Sequence, residues 1–153
     1  EQSPRIIRGN ASEIMALAGY SSVTKGPEST SSSADALHAA RELALHTGAA
    51  VLVTGRTDYS TDGRQVTATE NGHAMMSRVT GVGCSMGALS AACAAVSPTP
   101  LQAAVSTAVL MGIAGEMAFE QSPAPGSFAV SLLDSLYSLS PEDVVRRARF
   151  LSL

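Results

Sequence analysis

Ala49-Ala50-Val51-Leu52-Val53-Thr54 is an unbroken apolar run closed by a hydroxyl residue and Gly55. A half-buried strand would alternate in polarity. A run without a polar position is the mark of a strand covered on both faces, as in a parallel sheet packed between helices. The reading extends outward from there. Upstream, Arg5-Ile6-Ile7-Arg8 is a short β-type run ending at Gly9, and Asn10-Ala11-Ser12-Glu13 opens an apolar helical stretch through Leu17. A strand, a tight loop and a helix are therefore expected in succession. Gly19 to Ser33 is rich in Ser, Thr, Gly and Pro and reads as a loop. Ser32 or Ser33 is placed to cap a helix in which Ala36, Leu37, Ala40, Leu43 and Ala44 recur at helical spacing up to a stop at Gly48.

Downstream of Gly55 the texture changes. Asp58-Tyr59-Ser60-Thr61 and Gln65 to Glu70 alternate in polarity around a turn at Asp62-Gly63, which predicts a hairpin adding antiparallel edge strands. Thr80-Gly81-Val82-Gly83-Cys84 leads into a helix to about Val96, and a second runs from about Pro100 to Gln121. Pro125-Gly126 is read as a break before a helix from about Ser127 to Ser138. Ser140-Pro141-Glu142-Asp143 starts a final amphipathic helix, with Pro at its first position and acids in its first turn. The fold class expected is α/β.

Composition narrows the function. The chain of 153 residues is 45% apolar with mean hydropathy +0.17, enough apolar material for a core and incompatible with global disorder. Charged residues make up only 15% and aromatics 4%, with no Trp, so small aliphatics must fill the interior. A net charge of -3 supplies no electrostatic footprint for nucleic acid or an anionic membrane. From Val79 to Gly115 no residue is charged, but Pro98 and Pro100 divide the stretch into pieces rich in Ala, Ser, Thr and Gly. Each falls short of the roughly 20 strongly apolar residues of a membrane span, and two buried helices are expected instead. Cys84 and Cys93 would lie on opposite faces of one helix, and no Cys framework or signal segment is visible, which favours a reducing, cytoplasmic setting. His38, His46 and His73 share no ligand spacing, so a zinc site is not expected.

Four groups of residues could carry chemistry. The glycines of Gly81-Val82-Gly83-Cys84 let backbone approach a ligand at a helix N-terminus, which favours an anion such as a transferring phosphoryl group; a plain glycine turn before a buried helix is the alternative. The Lys of a P-loop is absent. Cys84, at that terminus, is either a weak base or nucleophile with a lowered pKa or a small buried thiol, while Cys93 reads as buried filler. Asn10 and Glu13 form either a capping box or, at the C-terminal end of a strand, a Mg²⁺ and phosphate element. Arg8 is otherwise a surface cation and Thr54-Gly55 an ordinary strand-end turn. His73 reads as a loop residue, and Arg146, Arg147 and Arg149 as a solvated helix face; neither is assigned a role.

Taken in order, the segments resemble the C-terminal part of the hydroxyethylthiazole kinase family, within the ribokinase-like superfamily. The resemblance rests on Ile7-Arg8-Gly9-Asn10-Ala11-Ser12-Glu13-Ile14, Val53-Thr54-Gly55, Asp58-Tyr59 with Thr61-Asp62-Gly63, Asn71-Gly72-His73, Val79-Thr80-Gly81-Val82-Gly83-Cys84 and Pro125-Gly126-Ser127-Phe128. It implies a three-layer α/β/α fold with a mostly parallel sheet and an antiparallel edge hairpin. It also implies ATP-dependent phosphorylation of the alcohol of 4-methyl-5-(2-hydroxyethyl)thiazole, in thiamine salvage. On the same basis Arg8 and Thr54 would contact ATP, Gly81 the thiazole, and Asn10 and Glu13 Mg²⁺ and phosphate. Gly81, Val82, Gly83 and Cys84 would form the anion hole, with Cys84 as the catalytic base where most of the superfamily has Asp. The sequence departs from the family pattern at Arg56, at Gly26-Pro27-Glu28-Ser29 and at Val82.

The resemblance further implies a homotrimer with thiazole sites at subunit interfaces. Residues 1–153 are expected to be the C-terminal part of one kinase domain of roughly 250 residues, a size one α/β domain can reach. The leading strands, part of the thiazole pocket and an acidic metal-site residue would lie upstream, so this chain is not expected to complete a turnover alone and should expose apolar surface. Two alternatives stand beside this reading: another ribokinase-like kinase, such as one acting on hydroxymethylpyrimidine, or a non-catalytic nucleotide-binding fragment.

Overall fold

The computed structural model describes residues 3–20 and 36–153. The serines expected to cap the second helix, most of the loop preceding them and the departure at residues 26–29 lie outside the described residues. Five strands form one sheet in the order β1-β2-β3-β4-β5. They are β1 (Ile6–Asn10), β2 (Ala50–Thr54), β3 (Asp58–Thr61), β4 (Val66–Thr69) and β5 (Phe150–Ser152). Helices α1 (Ala11–Leu17) and α2 (Leu37–Thr47) lie between β1 and β2 in sequence. After β4 come a 3₁₀ helix (Ala74–Arg78), α3 (Val82–Val96), α4 (Pro100–Gln121), α5 (Pro125–Ser138) and α6 (Pro141–Arg147).

The apolar run behaves as its pattern requires. β2 pairs parallel with β1, with Arg8 opposite Leu52 and Asn10 opposite Thr54. Val51 and Val53 point to a core with Ala11 and Ile14 of α1 and Ala40, Leu43 and Ala44 of α2. Ala50 and Leu52 point the other way, to a core with Met86 of α3, Ala104, Ala108, Met111 and Ala114 of α4, and Phe128 and Leu132 of α5. The result is three layers, helix on sheet on helix. Fully burying a side chain such as Leu52 contributes on the order of 2 kcal/mol, and the alanines of α4 let that helix sit close to the strands. The apolarity of α4, long enough by itself to suggest a membrane span, is thus spent inside the protein, where most of its most apolar stretch is buried.

The hairpin also forms where expected. β3 pairs antiparallel with β2 and with β4. Its turn is held by Asp62, whose Oδ1 accepts from Arg64 N at 2.9 Å and Gln65 N at 2.8 Å. The expected alternation does not appear in the burial of β4: all four of its residues are buried, with strands paired on both of its edges and α4 packed against it. Nor is β4 an edge, since β5 pairs antiparallel with it through Thr69 opposite Phe150 and Thr67 opposite Ser152. Among the described residues one strand pair is parallel and three are antiparallel.

Two helices differ from expectation. Pro125-Gly126 is not a break but the first turn of α5, a position where the fixed φ of Pro is already helical and its missing N–H costs nothing. α3 is less buried than its lack of charge implies: only Met86, Ser90 and Cys93 are buried. Arg5 Nη1 donates to Ala94 O at 2.7 Å, fixing α3 across the start of β1. Apolar side chains are exposed as expected, among them Val96, Val130, Leu133, Tyr137 and Val145.

Candidate functional site

The C-terminal ends of β1 and β2 open beside the first turn of α3, the crevice in which open α/β sheets bind ligands. A cavity of about 900 Å³ lies there. Arg8 comes to it from the middle of β1, Thr54 from the end of β2, Gly83 from α3, Gly72 and His73 from the loop after β4, and Met111 from α4. Such a volume is in the range of small-molecule sites.

The α3 terminus is built by Gly81, which takes φ +98°, a left-handed conformation that side chains with a Cβ rarely adopt. No side chain caps the helix, so the N–H groups of its first turn are left for another acceptor, with the dipole behind them. Arg8 lies over this turn: a methyl group built on Gly83 would sit 3.9 Å from both terminal guanidinium nitrogens. A cation and uncapped helix N–H groups at one spot attract an anion. Cys84 is exposed on the same turn but is not part of the cavity wall, and neither is Gly81. Cys93 is buried, as expected of filler.

Thr54 donates its hydroxyl to Gly9 O at 3.3 Å, tying the two strand ends together. Asn10 and Glu13 form the capping box: Asn10 Oδ1 accepts from Glu13 N at 3.0 Å and Glu13 Oε2 from Asn10 N at 2.8 Å. Both residues are exposed and outside the cavity wall. The second carboxylate oxygen of Glu13 makes no hydrogen bond among the described residues. A single free carboxylate oxygen can serve Mg²⁺, which takes one or two carboxylates and completes its shell with water and phosphate. No cluster of three or more metal-ligating side chains occurs among the described residues.

Several wall residues carried no assignment in the sequence reading. Asp58 accepts from Gly55 N at 2.8 Å and so braces the Thr54-Gly55 turn; burial pushes its carboxyl up to about 6. His73 caps the 3₁₀ helix, its Nδ1 accepting from Met75 N at 3.1 Å, and stacks on Phe119 at 3.6 Å and 19°. Because Nδ1 accepts, the neutral ring carries its proton on Nε2. The arginine cluster is not a free solvated face. Arg147 makes a double contact with Glu120 at 2.7 and 3.1 Å, and Arg149 reaches Glu116 at 2.6 Å, docking the C-terminal segment on α4. The one local signal for these residues was the Asn71-Gly72-His73 triplet, whose partners lie more than forty positions away in Glu116 and Phe119.

A sheet layered between helices, with a glycine-shaped helix N-terminus beside an arginine of β1, is a three-layer α/β ligand-binding fold, and the match to a solved structure makes it one of the ribokinase-like class. A solved hydroxyethylthiazole kinase from Pyrococcus horikoshii superposes with a TM-score of 0.84 at 38% identity, covering 97% of this chain and 54% of that one. The model of the hydroxyethylthiazole kinase family matches residues 1–142, and the chain belongs to that family. A hydroxyethylthiazole kinase of Akkermansia muciniphila is 99% identical over 153 residues, all of this chain and 56% of that protein. One from Granulibacter bethesdensis is 52% identical over 139 residues, 91% of this chain and 51% of that protein. The chain spans about half the length of the curated relatives it matches.

Proposed function

We propose that residues 1–153 are the C-terminal, nucleotide-side part of a single kinase domain that transfers the γ-phosphoryl group of ATP to the alcohol of 4-methyl-5-(2-hydroxyethyl)thiazole in the cytoplasm. The observation that carries the reading is the meeting of Arg8, Thr54 and the uncapped first turn of α3 around one cavity. Arg8 and Thr54 bind ATP. The backbone N–H groups of Gly81 to Cys84 take up the charge that develops on the transferred group, and preorganised donors of this kind carry much of the catalysis in a loose transition state. Cys84, exposed on that turn, accepts the alcohol proton late, when little basicity is required. Gly81 contacts the thiazole. Glu13, through its second carboxylate oxygen, and Asn10, through water, would hold Mg²⁺, which when bound would supply positive charge to the transferring phosphates. A homotrimer completes the thiazole sites at subunit interfaces.

Calorimetric titration of the chain with Mg²⁺ and ATP tests the nucleotide reading. Saturable binding that weakens in Arg8→Ala is expected, and no heat from a well-folded chain overturns it. ATP consumption by a full-length relative, offered the thiazole alcohol and hydroxymethylpyrimidine in parallel, tests the acceptor. Turnover with only the pyrimidine would move the assignment to that kinase.

A further inference from the structure

Four consecutive residues, Glu70 to His73, line the same cavity as Arg8, and none belongs to a helix or strand. Their position is set from outside. Glu116 of α4 turns one carboxylate oxygen to three donors: Gly72 N at 2.8 Å, Asn71 Nδ2 at 3.2 Å and Arg149 Nη2 at 2.6 Å. Asn71 in turn uses its side-chain amide as a strand uses its backbone. Its Nδ2 donates to Arg147 O at 2.9 Å and its Oδ1 accepts from Arg149 N at 2.7 Å. Arg149 closes the circuit, with Nη2 donating to Glu70 O and its carbonyl accepting from Glu70 N, both at 2.9 Å. Glu116 is mostly buried, with 15% of its side chain exposed, so loss of the carboxylate would leave the part-buried Gly72 N–H without its acceptor and the Asn71 amide short of one.

We infer that Glu116 is a positioning residue for the cavity's occupant and that the segment Arg147 to Ser152 is part of the same device. Filling the cavity tightens the C-terminal strand, and loosening that strand weakens the occupant. The inference rests on the reading that the occupant is ATP. Residues after 142 lie beyond the family model's match, yet four of the hydrogen bonds that fix the wall come from them.

The test compares the chain with Glu116→Ala, Glu116→Gln and Arg149→Ala by calorimetry with Mg²⁺ and ATP and by amide hydrogen exchange. Glu116→Ala is expected to bind ATP about tenfold more weakly or worse, the equivalent of one hydrogen bond to a charged group. The amides of Gly72 and of residues 150–153 should lose protection together. Glu116→Gln, which keeps an oxygen for Gly72 N–H, should recover most of the affinity; Arg149→Ala should fall between the two. In the unaltered chain ATP should increase protection at residues 150–153, since coupling is reciprocal. If Glu116→Ala does not fold, the other two variants carry the comparison. ATP affinity unchanged in the folded variants, or Gly72 exchange unmoved, overturns the inference. If the unaltered chain takes up no ATP, the nucleotide reading falls and exchange decides alone: joint loss of protection supports the device, and separate loss overturns it.

Discussion

Gly112→Ala should destabilise the protein, whereas the same change three residues on, at Gly115, should not. A Cβ on Gly112 would lie 2.5 Å from Asn71 Cβ and 2.7 and 2.8 Å from the Asn71 carbonyl carbon and oxygen. That backbone cannot yield cheaply, because the Asn71 side chain is bonded to Arg147, Arg149 and Glu116. Forcing an extra methyl into a packed site costs about 1–3 kcal/mol, and rigid surroundings put this case near about 2–3. Alanine returns about 1 kcal/mol through its helix propensity, leaving a net loss of about 1–2 kcal/mol. For a chain of this size that lowers the unfolding midpoint by about 2–8 °C. At Gly115 the new methyl meets the Met76 thioether, the far end of a flexible side chain that can swing aside. The helix gain then stands, and Gly115→Ala should be within about 0.5 kcal/mol of the parent or more stable. Urea denaturation followed by circular dichroism ranks the three proteins. If Gly112→Ala proves as stable as Gly115→Ala, the wall at Asn71 is not held as described.

Three more outcomes can be checked. Asp58 is pushed up to about 6 by burial, so the folded state holds its proton more tightly than the unfolded chain, and stability should fall as pH rises from about 4 to about 6; Asp58→Asn should flatten that window, and an unchanged slope would exclude burial as the cause. Asn10→Ala removes the acceptor of the capping box and should cost about 1 kcal/mol in urea denaturation, while Asn10→Ser should cost much less. At the position of Cys84 in a full-length relative, Asp should retain or raise ADP release with the thiazole alcohol and Ala should lower it by less than the about hundredfold expected for loss of a full general base; abolition by both, with folding intact, would refute the base assignment.

Local pattern carried much of this structure. The apolar run from Ala49 predicted a strand covered on both faces, and Val51 and Leu52 do face separate cores. Asn10 to Glu13 spelled a capping box, and it forms. What stayed hidden depends on partners distant in sequence. Phe150 to Ser152 is short and has all three residues exposed, so no periodicity marks it; backbone pairing to β4 holds it, and the Asn71 amide holds Arg147 and Arg149 just before it. Glu116 sits in a mostly apolar helix four residues before Glu120, and only the folded loop shows which donors it receives. Pro125 was legible but misread, because proline both interrupts helices and begins them.

The sheet order has a consequence for how the chain folds. β2, β3 and β4 follow one another along the chain, so each can join its neighbour through a short closure. The last addition differs: Arg149 and Glu70, which flank the β4–β5 seam, are 79 positions apart. That closure carries a larger entropic cost and must wait for α3 through α6 to pass the ribosome. The wall of the cavity should therefore be the last part to acquire its shape, and a nascent chain halted before Arg147 would hold most of its sheet yet lack a finished site.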